Sequence, residues 1–227
     1  MTLIYAHRGA SGAYPENTLL AFAQALRLNV AGIELDLHGC AEGIPVVIHD
    51  ADLSRTTNGQ GSVSDTPLAS LRLLDAGRGE RIPTLAEVLD LVGDAVHLDL
   101  EVKATGIEQA VLDLLAAYPG ARWAISSFEW HILRALRGRS PHAELWPLAE
   151  EWSVDLLAVA RELGSPVVAV GDEIYDATTA QEIANAGLEA MIWTVNDSAT
   201  ALRVRDLGAY ALCSDVPDLI QTAFAET

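Results

Sequence analysis

Short runs of β-branched and apolar residues alternate along the chain with longer stretches whose apolar positions recur every three to four residues. This is the pattern of strands separated by amphipathic helices. The runs Leu3–Ala6, Ile33–Leu37, Pro45–His49, Val96–Val102, Trp123–Ser127, Glu144–Leu148, Val167–Val170, Met191–Val195 and Tyr210–Ser214 predict nine strands. Helices are predicted over Asn17–Leu28, with Leu19, Phe22, Ala23 and Leu26 on one face, and from the capping box Thr84-Leu-Ala-Glu87 to about Val92. Others are predicted near 106–117, 129–137, 153–163, 176–186, 198–207 and 216–224. Between the second and third strands only Leu37 to Ile44 is available, and a parallel crossover needs roughly a dozen residues. Those two strands are therefore expected to form an antiparallel hairpin. The other eight, each followed by a helix, give an α/β fold of the (β/α)8 barrel type with one extra strand after the second. An open doubly wound sheet is the alternative, but no G-x-G-x-x-G or G-x4-G-K-[ST] phosphate loop follows any strand. The pattern predicts a single domain over residues 1–227 with a loop insertion at about 50–83, where Gly, Ser, Thr and Asp concentrate without a clear element.

In a parallel barrel, functional groups gather at the C-terminal ends of the strands. Polar residues cluster there: His7 and Arg8 after the first strand, Glu34 and Asp36 in the second, His49 and Asp50 ending the hairpin, Asp99, Glu101 and Lys103 in the fourth predicted run, Trp193 and Asn196 late in the chain. Because strand side chains alternate, Glu34 and Asp36 share one face while Ile33, Leu35 and Leu37 take the other. Asp99, Glu101 and Lys103 likewise oppose Leu98, Leu100 and Val102. The apolar faces suit the helix side, so the charges point into the barrel. An internal ion-pair network of these acids with Arg8 and Lys103 is the plainer alternative. Unpaired buried carboxylates are costly, however, and Glu34, Asp36 and Glu101 form an all-oxygen set suited to one divalent cation, Mg2+ or Ca2+, rather than zinc. His7 and His49 suit proton transfer. His38, His97, His131 and His142 lack such company and are expected to be surface or satisfied core residues. Ser11 and Ser126 have no nucleophile-elbow context.

Charge narrows the function classes. The 227 residues carry 14 basic and 32 acidic side chains, a formal net charge of −18, which argues against nucleic acid or an anionic membrane surface as partner. An anionic small molecule would need a locally positive site, which a bound cation would create. Thirteen of the basic residues are arginine and one is lysine, Lys103. Cys40 and Cys213 follow no metal-binding spacing and are expected to be reduced, buried thiols. With no signal-like N-terminus and no run of ~18 apolar residues, membrane insertion is not expected and the cytoplasm is the expected compartment.

The stretch His7-Arg-Gly-Ala-Ser-Gly-Ala-Tyr-Pro-Glu-Asn-Thr18, then Gly32-Ile-Glu-Leu-Asp36, Pro45-Val-Val-Ile-His-Asp50 with Arg55-Thr-Thr-Asn-Gly59, Asp99-Leu-Glu-Val-Lys103, Ser126-Ser-Phe128, Trp193-Thr-Val-Asn196 and Ser214-Asp-Val-Pro217, resembles the glycerophosphodiester phosphodiesterase family. The resemblance runs from the first strand to the last helix. It implies a TIM-barrel hydrolase that cleaves glycerophosphodiesters to sn-glycerol 3-phosphate and an alcohol with a divalent cation. It further implies His7 and His49 as the acid–base pair, Glu34, Asp36 and Glu101 as metal ligands, and Arg8 and Lys103 as phosphate contacts. Asn17 would order the first loop and Trp193 would line the substrate pocket. Two alternatives on the same barrel are a phospholipase-D-like or lysophospholipid phosphodiesterase, disfavoured by the acidic surface, and a noncatalytic phosphate-binding barrel.

Overall fold

The computed structural model describes residues 2–226. Eight parallel strands close into a barrel: β1 (Leu3–His7), β2 (Gly32–Gly39), β4 (His97–Val102), β5 (Arg122–Ser127), β6 (Leu145–Ala149), β7 (Val167–Gly171), β8 (Glu189–Trp193) and β9 (Ala211–Ser214). Pairing of β1 with both β2 and β9 closes the ring. The ninth strand, β3 (Pro45–Val47), lies outside it, antiparallel to β2 with Leu37 opposite Val47. The (β/α)8 barrel with an extra hairpin strand is therefore the observed fold.

Alternation along the strands sorts the core into two compartments. Ile33, Leu35, Leu37, Leu98, Leu100 and Val102 are fully buried and pack against Phe22 and Ala25 of α1 (Leu19–Arg27) and Leu85, Val88 and Leu89 of α3 (Leu85–Val92). The opposite faces contribute Tyr5, Ala124, Trp146, Leu148, Val167, Ala169, Met191, Ala211 and Cys213 to the cluster inside the barrel. The capping box at Thr84 and Glu87 is formed. Both cysteines are free and buried.

Several element ends differ from expectation by one or two residues, β3 stopping at Val47 rather than His49 and α1 beginning at Leu19 rather than Asn17, and two segments differ more. Strand β8 spans Glu189–Trp193 rather than 191–195, because its ladder with β7 pairs Val167 with Glu189 and ends at Gly171 and Trp193. Thr194 and Val195 prolong the β-branched run past the last ladder pair, and only the Val195 N–H still reaches the Cys213 carbonyl of β9. The 50–83 segment holds a one-turn helix, α2 (Leu68–Leu71), and an antiparallel bridge between Asp52 and Ser62. It builds a small apolar cluster from Leu53, Val63, Leu71 and Ile82 against Cys40, Val46 and Ile48, which anchors it beside the hairpin.

Aromatic side chains plug the barrel toward the N-terminal ends of its strands. Tyr5 shares a 3.1 Å hydrogen bond between its hydroxyl and His97 Nδ1, and the His97 ring stacks on Trp146 at 5.5 Å between centroids. Gly32 is required beneath this plug, since a Cβ there would sit 2.2 Å from Tyr5 Cε1. Burial, with a smaller push from Arg122, lowers the His97 pKa from 6.5 to about 4. The unfolded chain thus takes up this proton at higher pH than the folded one, so the neutral ring's contribution to stability is lost as pH falls from about 6.5 through 4. Allowing for partial solvent access, roughly 2 kcal/mol is at stake across that window. In urea unfolding between pH 6.5 and 4, His97→Gln is expected to show a shallower loss of stability than the wild type, whatever its absolute stability. Parallel curves would remove His97 from the acid sensitivity.

Candidate active site

The loop after β1 turns sharply because Arg8 adopts a left-handed backbone (φ 55°), followed by Gly9 at φ 81°. A Cβ on Gly9 would lie 2.7 Å from the Ala21 carbonyl carbon, so the glycine lets this loop press onto α1. The turn aims the Arg8 backbone N–H at Glu34 Oε2, 3.0 Å away, and its side chain at Asp36, with Nε 3.2 Å from Oδ2. Asn17, also left-handed at φ 57° and held by its N–H to the Arg8 carbonyl, donates its side-chain amide to Asp36 Oδ2 at 2.7 Å. It therefore does more than order a loop, since it orients a site carboxylate.

Glu34 and Asp36 on β2 and Glu101 on β4 offer carboxylate oxygens that lie within 4.8 Å of one another. Register explains this: Asp36 is directly opposite Glu101. The expected ion pairs are also present, with Lys103 Nζ 2.5 Å from Glu101 Oε1 and 3.4 Å from Asp36 Oδ1. They do not balance the cluster, because Arg8 also pairs with Glu16 at 2.9 Å and Asp99 adds a further buried acid to Glu34, Asp36 and the partly buried Glu101. Desolvation, reinforced by Asp36 and Glu101, raises the Glu34 pKa well above the ordinary carboxylate range. Desolvation and Asp36, opposed by Lys103, push Glu101 to about 7. Desolvation, together with Glu101 and Asp36, pushes Asp99 to about 7. Asp36, although desolvated, is held low by Arg8 and Lys103, and its buried Oδ1 accepts no well-formed hydrogen bond. Three crowded carboxylates, one with a buried oxygen that accepts no well-formed hydrogen bond, fit a divalent cation.

The two histidines flank this cluster in the same way. His7 Nδ1 lies 2.7 Å from Asp215 Oδ1, and His49 Nδ1 lies 2.6 Å from Asp50 Oδ1. A carboxylate on Nδ1 keeps the proton there in the neutral ring and leaves Nε2 as the working nitrogen. His7 Nε2 lies 3.9 Å from Glu34 Oε2. Asp215 is fixed in turn by Ser11 Oγ at 2.8 Å and Asn196 Nδ2 at 2.6 Å, and despite desolvation the bond from His7 helps hold its pKa near 2. His49 is seated from the other side by buried His38, whose Nε2 lies 3.0 Å from the His49 carbonyl. Desolvation lowers the His49 pKa, with Asp36 and Asp50 opposing and Arg8 and Lys103 adding to the shift. His131 and His142 are exposed and distant from this constellation.

A cavity of about 370 Å3 at the C-terminal end of the barrel brings these groups together. His7, Arg8, Glu34, His49, Glu101 and Lys103 line one part, and Phe128, Leu148, Met191 and Trp193 form an apolar wall. Phe128 and Trp193 meet edge to face at 5.3 Å. Asp36 lies behind the lining, fully buried. The expected site residues thus converge. The contact of His38 with the His49 carbonyl had no sign in the sequence, and the carboxylates that orient the histidines, Asp50 and Asp215, stood in the sequence motifs without a role. Their signal was adjacency to a histidine in one case and a terminal Ser-Asp-x-Pro in the other, and neither spacing reveals a contact.

Comparison with known proteins agrees with this fold. A model of the glycerophosphoryl diester phosphodiesterase family matches residues 7–219. The glycerophosphodiester phosphodiesterase of Caldanaerobacter subterraneus subsp. tengcongensis is 34% identical over 238 residues, covering 96% of each chain. That of Bacillus subtilis is 32% identical over 249 residues, covering 96% of this chain and 84% of its relative. An Oleispira antarctica phosphodiesterase solved in complex with the product sn-glycerol-3-phosphate superposes with a TM-score of 0.94 at 30% identity, covering 99% of this chain and 97% of that one. With sequence and architecture in agreement over nearly the whole length, the chain belongs to the glycerophosphoryl diester phosphodiesterase family.

Proposed function

We propose that the protein hydrolyses glycerophosphodiesters to sn-glycerol 3-phosphate and an alcohol, with one divalent cation, Mg2+ or Ca2+, held by Glu34, Asp36 and Glu101. The observation that carries this reading is the pairing of two carboxylate-oriented imidazoles across a three-carboxylate cluster within one cavity. The bound cation would neutralise charge on the nonbridging phosphate oxygens. Arg8 and Lys103 stand beside the cluster and supply the remaining positive charge for the anion. One of His7 and His49 takes the proton from the attacking hydroxyl, of water or of the glycerol 2-position, as its oxygen bonds to phosphorus, and the other gives a proton to the departing alkoxide as the phosphorus–oxygen bond breaks. Where the 2-hydroxyl attacks, water then opens the cyclic phosphate to sn-glycerol 3-phosphate. Asp215 and Asp50 stabilise each ring when it is positively charged. The wall of Phe128 and Trp193 is suited to carbon-bearing parts of the substrate beside the phosphate. The reading is supported further by the Oleispira antarctica phosphodiesterase solved with sn-glycerol-3-phosphate. A cytoplasmic, water-borne substrate pool is the matching setting; among the described residues no helix is long and apolar enough to cross a membrane.

A panel of glycerophosphodiesters carrying choline, ethanolamine, glycerol, serine and inositol, scored by release of sn-glycerol 3-phosphate, tests the reaction. Turnover of at least one water-soluble member is expected to exceed that of a lysophospholipid. Turnover of the lysophospholipid alone would establish a lipid-directed enzyme, and no turnover of any member would leave a phosphate-binding barrel.

A further inference from the structure

Two parts of the sequence motifs, Glu16 and Arg55, take no part in the chemistry above, yet they join its two halves. Arg8 Nη1 donates to Glu16 Oε1 at 2.9 Å. The two Glu16 oxygens also accept from Arg55, Oε1 from Nη2 at 2.8 Å and Oε2 from Nη1 at 2.9 Å. Arg55 then donates from Nε to Asp50 Oδ2 at 2.5 Å and from Nη2 to Asp50 Oδ1 at 3.0 Å. Asp50 Oδ1 is the atom that holds His49 Nδ1. One guanidinium therefore forks onto two carboxylates, one gripping the guanidinium beside the phosphate site and the other gripping an imidazole. The chain of contacts crosses three segments: the loop after β1, the end of the hairpin, and the 50–83 insertion that supplies Arg55.

The Arg55 side chain is 45% exposed, so its pairs are screened by water and add little to the stability of the fold. What they add is geometry. A planar guanidinium with both edges engaged fixes the relative placement of its partners, which a point charge cannot do. We propose that Arg55 is a positioning residue that, through Glu16 and Asp50, locks Arg8 and His49 into one unit, so that the phosphate is gripped only where the imidazole can serve the reacting oxygen. Misplacement by an ångström is enough to cost up to ~10²-fold in rate, so the lock matters for turnover although it matters little for folding. The inference rests on the reading that Arg8 and His49 act in the reaction.

The two segments it joins give the test its shape. Kinetics on glycerophosphocholine, scored by sn-glycerol 3-phosphate release, are compared for Glu16→Gln, Asp50→Asn, Arg55→Met and Arg55→Lys, with His49→Ala as reference and melting temperatures for all. Asp50→Asn is expected mainly to lower kcat and Glu16→Gln mainly to raise KM. Arg55→Met should do both, with kcat/KM falling ~10-fold or more, and Arg55→Lys should recover little because it restores charge without the fork. Placed on Asp50→Asn, Arg55→Met should lower kcat by less than about threefold more, since its route to His49 is already cut; on Glu16→Gln it should raise KM by no more than about the same factor. Full multiplication of effects in both double variants, an Arg55→Met enzyme within about twofold of wild type, or loss of the fold in both Arg55 variants would each overturn the proposal. If His49→Ala keeps its activity, the underlying mechanism fails instead; if His49→Ala is inactive while Arg55→Met is not, only the role of Arg55 fails.

Discussion

Exhaustive chelation is expected to abolish turnover reversibly, and Asp36→Asn is expected to lose ~10³-fold or more in activity, because the several kcal/mol of charge stabilisation that a bound cation supplies to a phosphoryl transition state would be lost. Asp36 is the most informative of the three carboxylates. It is fully buried, it lies between Arg8 and Lys103, and its Oδ1 has no well-formed hydrogen bond to lose. Asparagine keeps its shape and its bond from Asn17, so the variant separates a lost ligand from a collapsed site. Alanine there would remove the carboxylate that Arg8 and Lys103 share, leaving each with one acid, Glu16 and Glu101, and is expected to be less stable as well. Calorimetric titration with Mg2+ and Ca2+ is the direct measurement: the wild type should bind one ion, and Asp36→Asn should bind it at least ~10-fold more weakly. Glu34→Ala and Glu101→Ala should be impaired in the same way, with partial rescue of at least one by excess cation. Undiminished turnover after chelation, or unchanged cation affinity in Asp36→Asn, would leave the carboxylates as an ion-pair network alone.

The barrel was legible because two periodicities coexist in the chain. Period two places Glu34 and Asp36 opposite Ile33, Leu35 and Leu37, and the short Leu37–Ile44 connection forces the hairpin. The same alternation was enough to gather the acids on the inner face, since register then sets Asp36 beside Glu101. The limits of strand β8 were not legible. Its β-branched run continues past the last ladder pair, and only the neighbouring strand decides where pairing stops. The orienting contacts were hidden for a different reason. Asp215 and His7 are 208 positions apart, and their 2.7 Å contact exists because the ring closes β9 onto β1. A closed barrel converts the two ends of the sequence into neighbours, so a motif near residue 215 can complete one near residue 7 without any local sign of it. The role of Asn17 was half legible for a related reason. Its loop could be recognised, but its reach to Asp36 depends on the left-handed turns at Arg8 and Asn17.

Replacing either His7 or His49 by alanine is expected to lower kcat by ~10²-fold or more with little change in folding, as general acid–base groups typically contribute. The two variants should then part company on a changed leaving group. Both rings have the same architecture, with Nδ1 held by a carboxylate at 2.7 Å or 2.6 Å, so either can carry a proton to or from the reaction. Only the ring that protonates the departing alkoxide becomes dispensable when the leaving group needs no proton. On a p-nitrophenyl ester of glycerol phosphate, one variant should recover most of its loss, while the other, whose ring serves the attacking hydroxyl, should stay impaired. Recovery of both, or of neither, would contradict a division of labour between the two imidazoles. Asp215→Asn and Asp50→Asn extend the argument by one bond: each should reproduce, in weaker form, the leaving-group response of the histidine it holds. If Asp215→Asn followed the His49 pattern instead, the 2.7 Å contact to His7 would not be the one through which it acts.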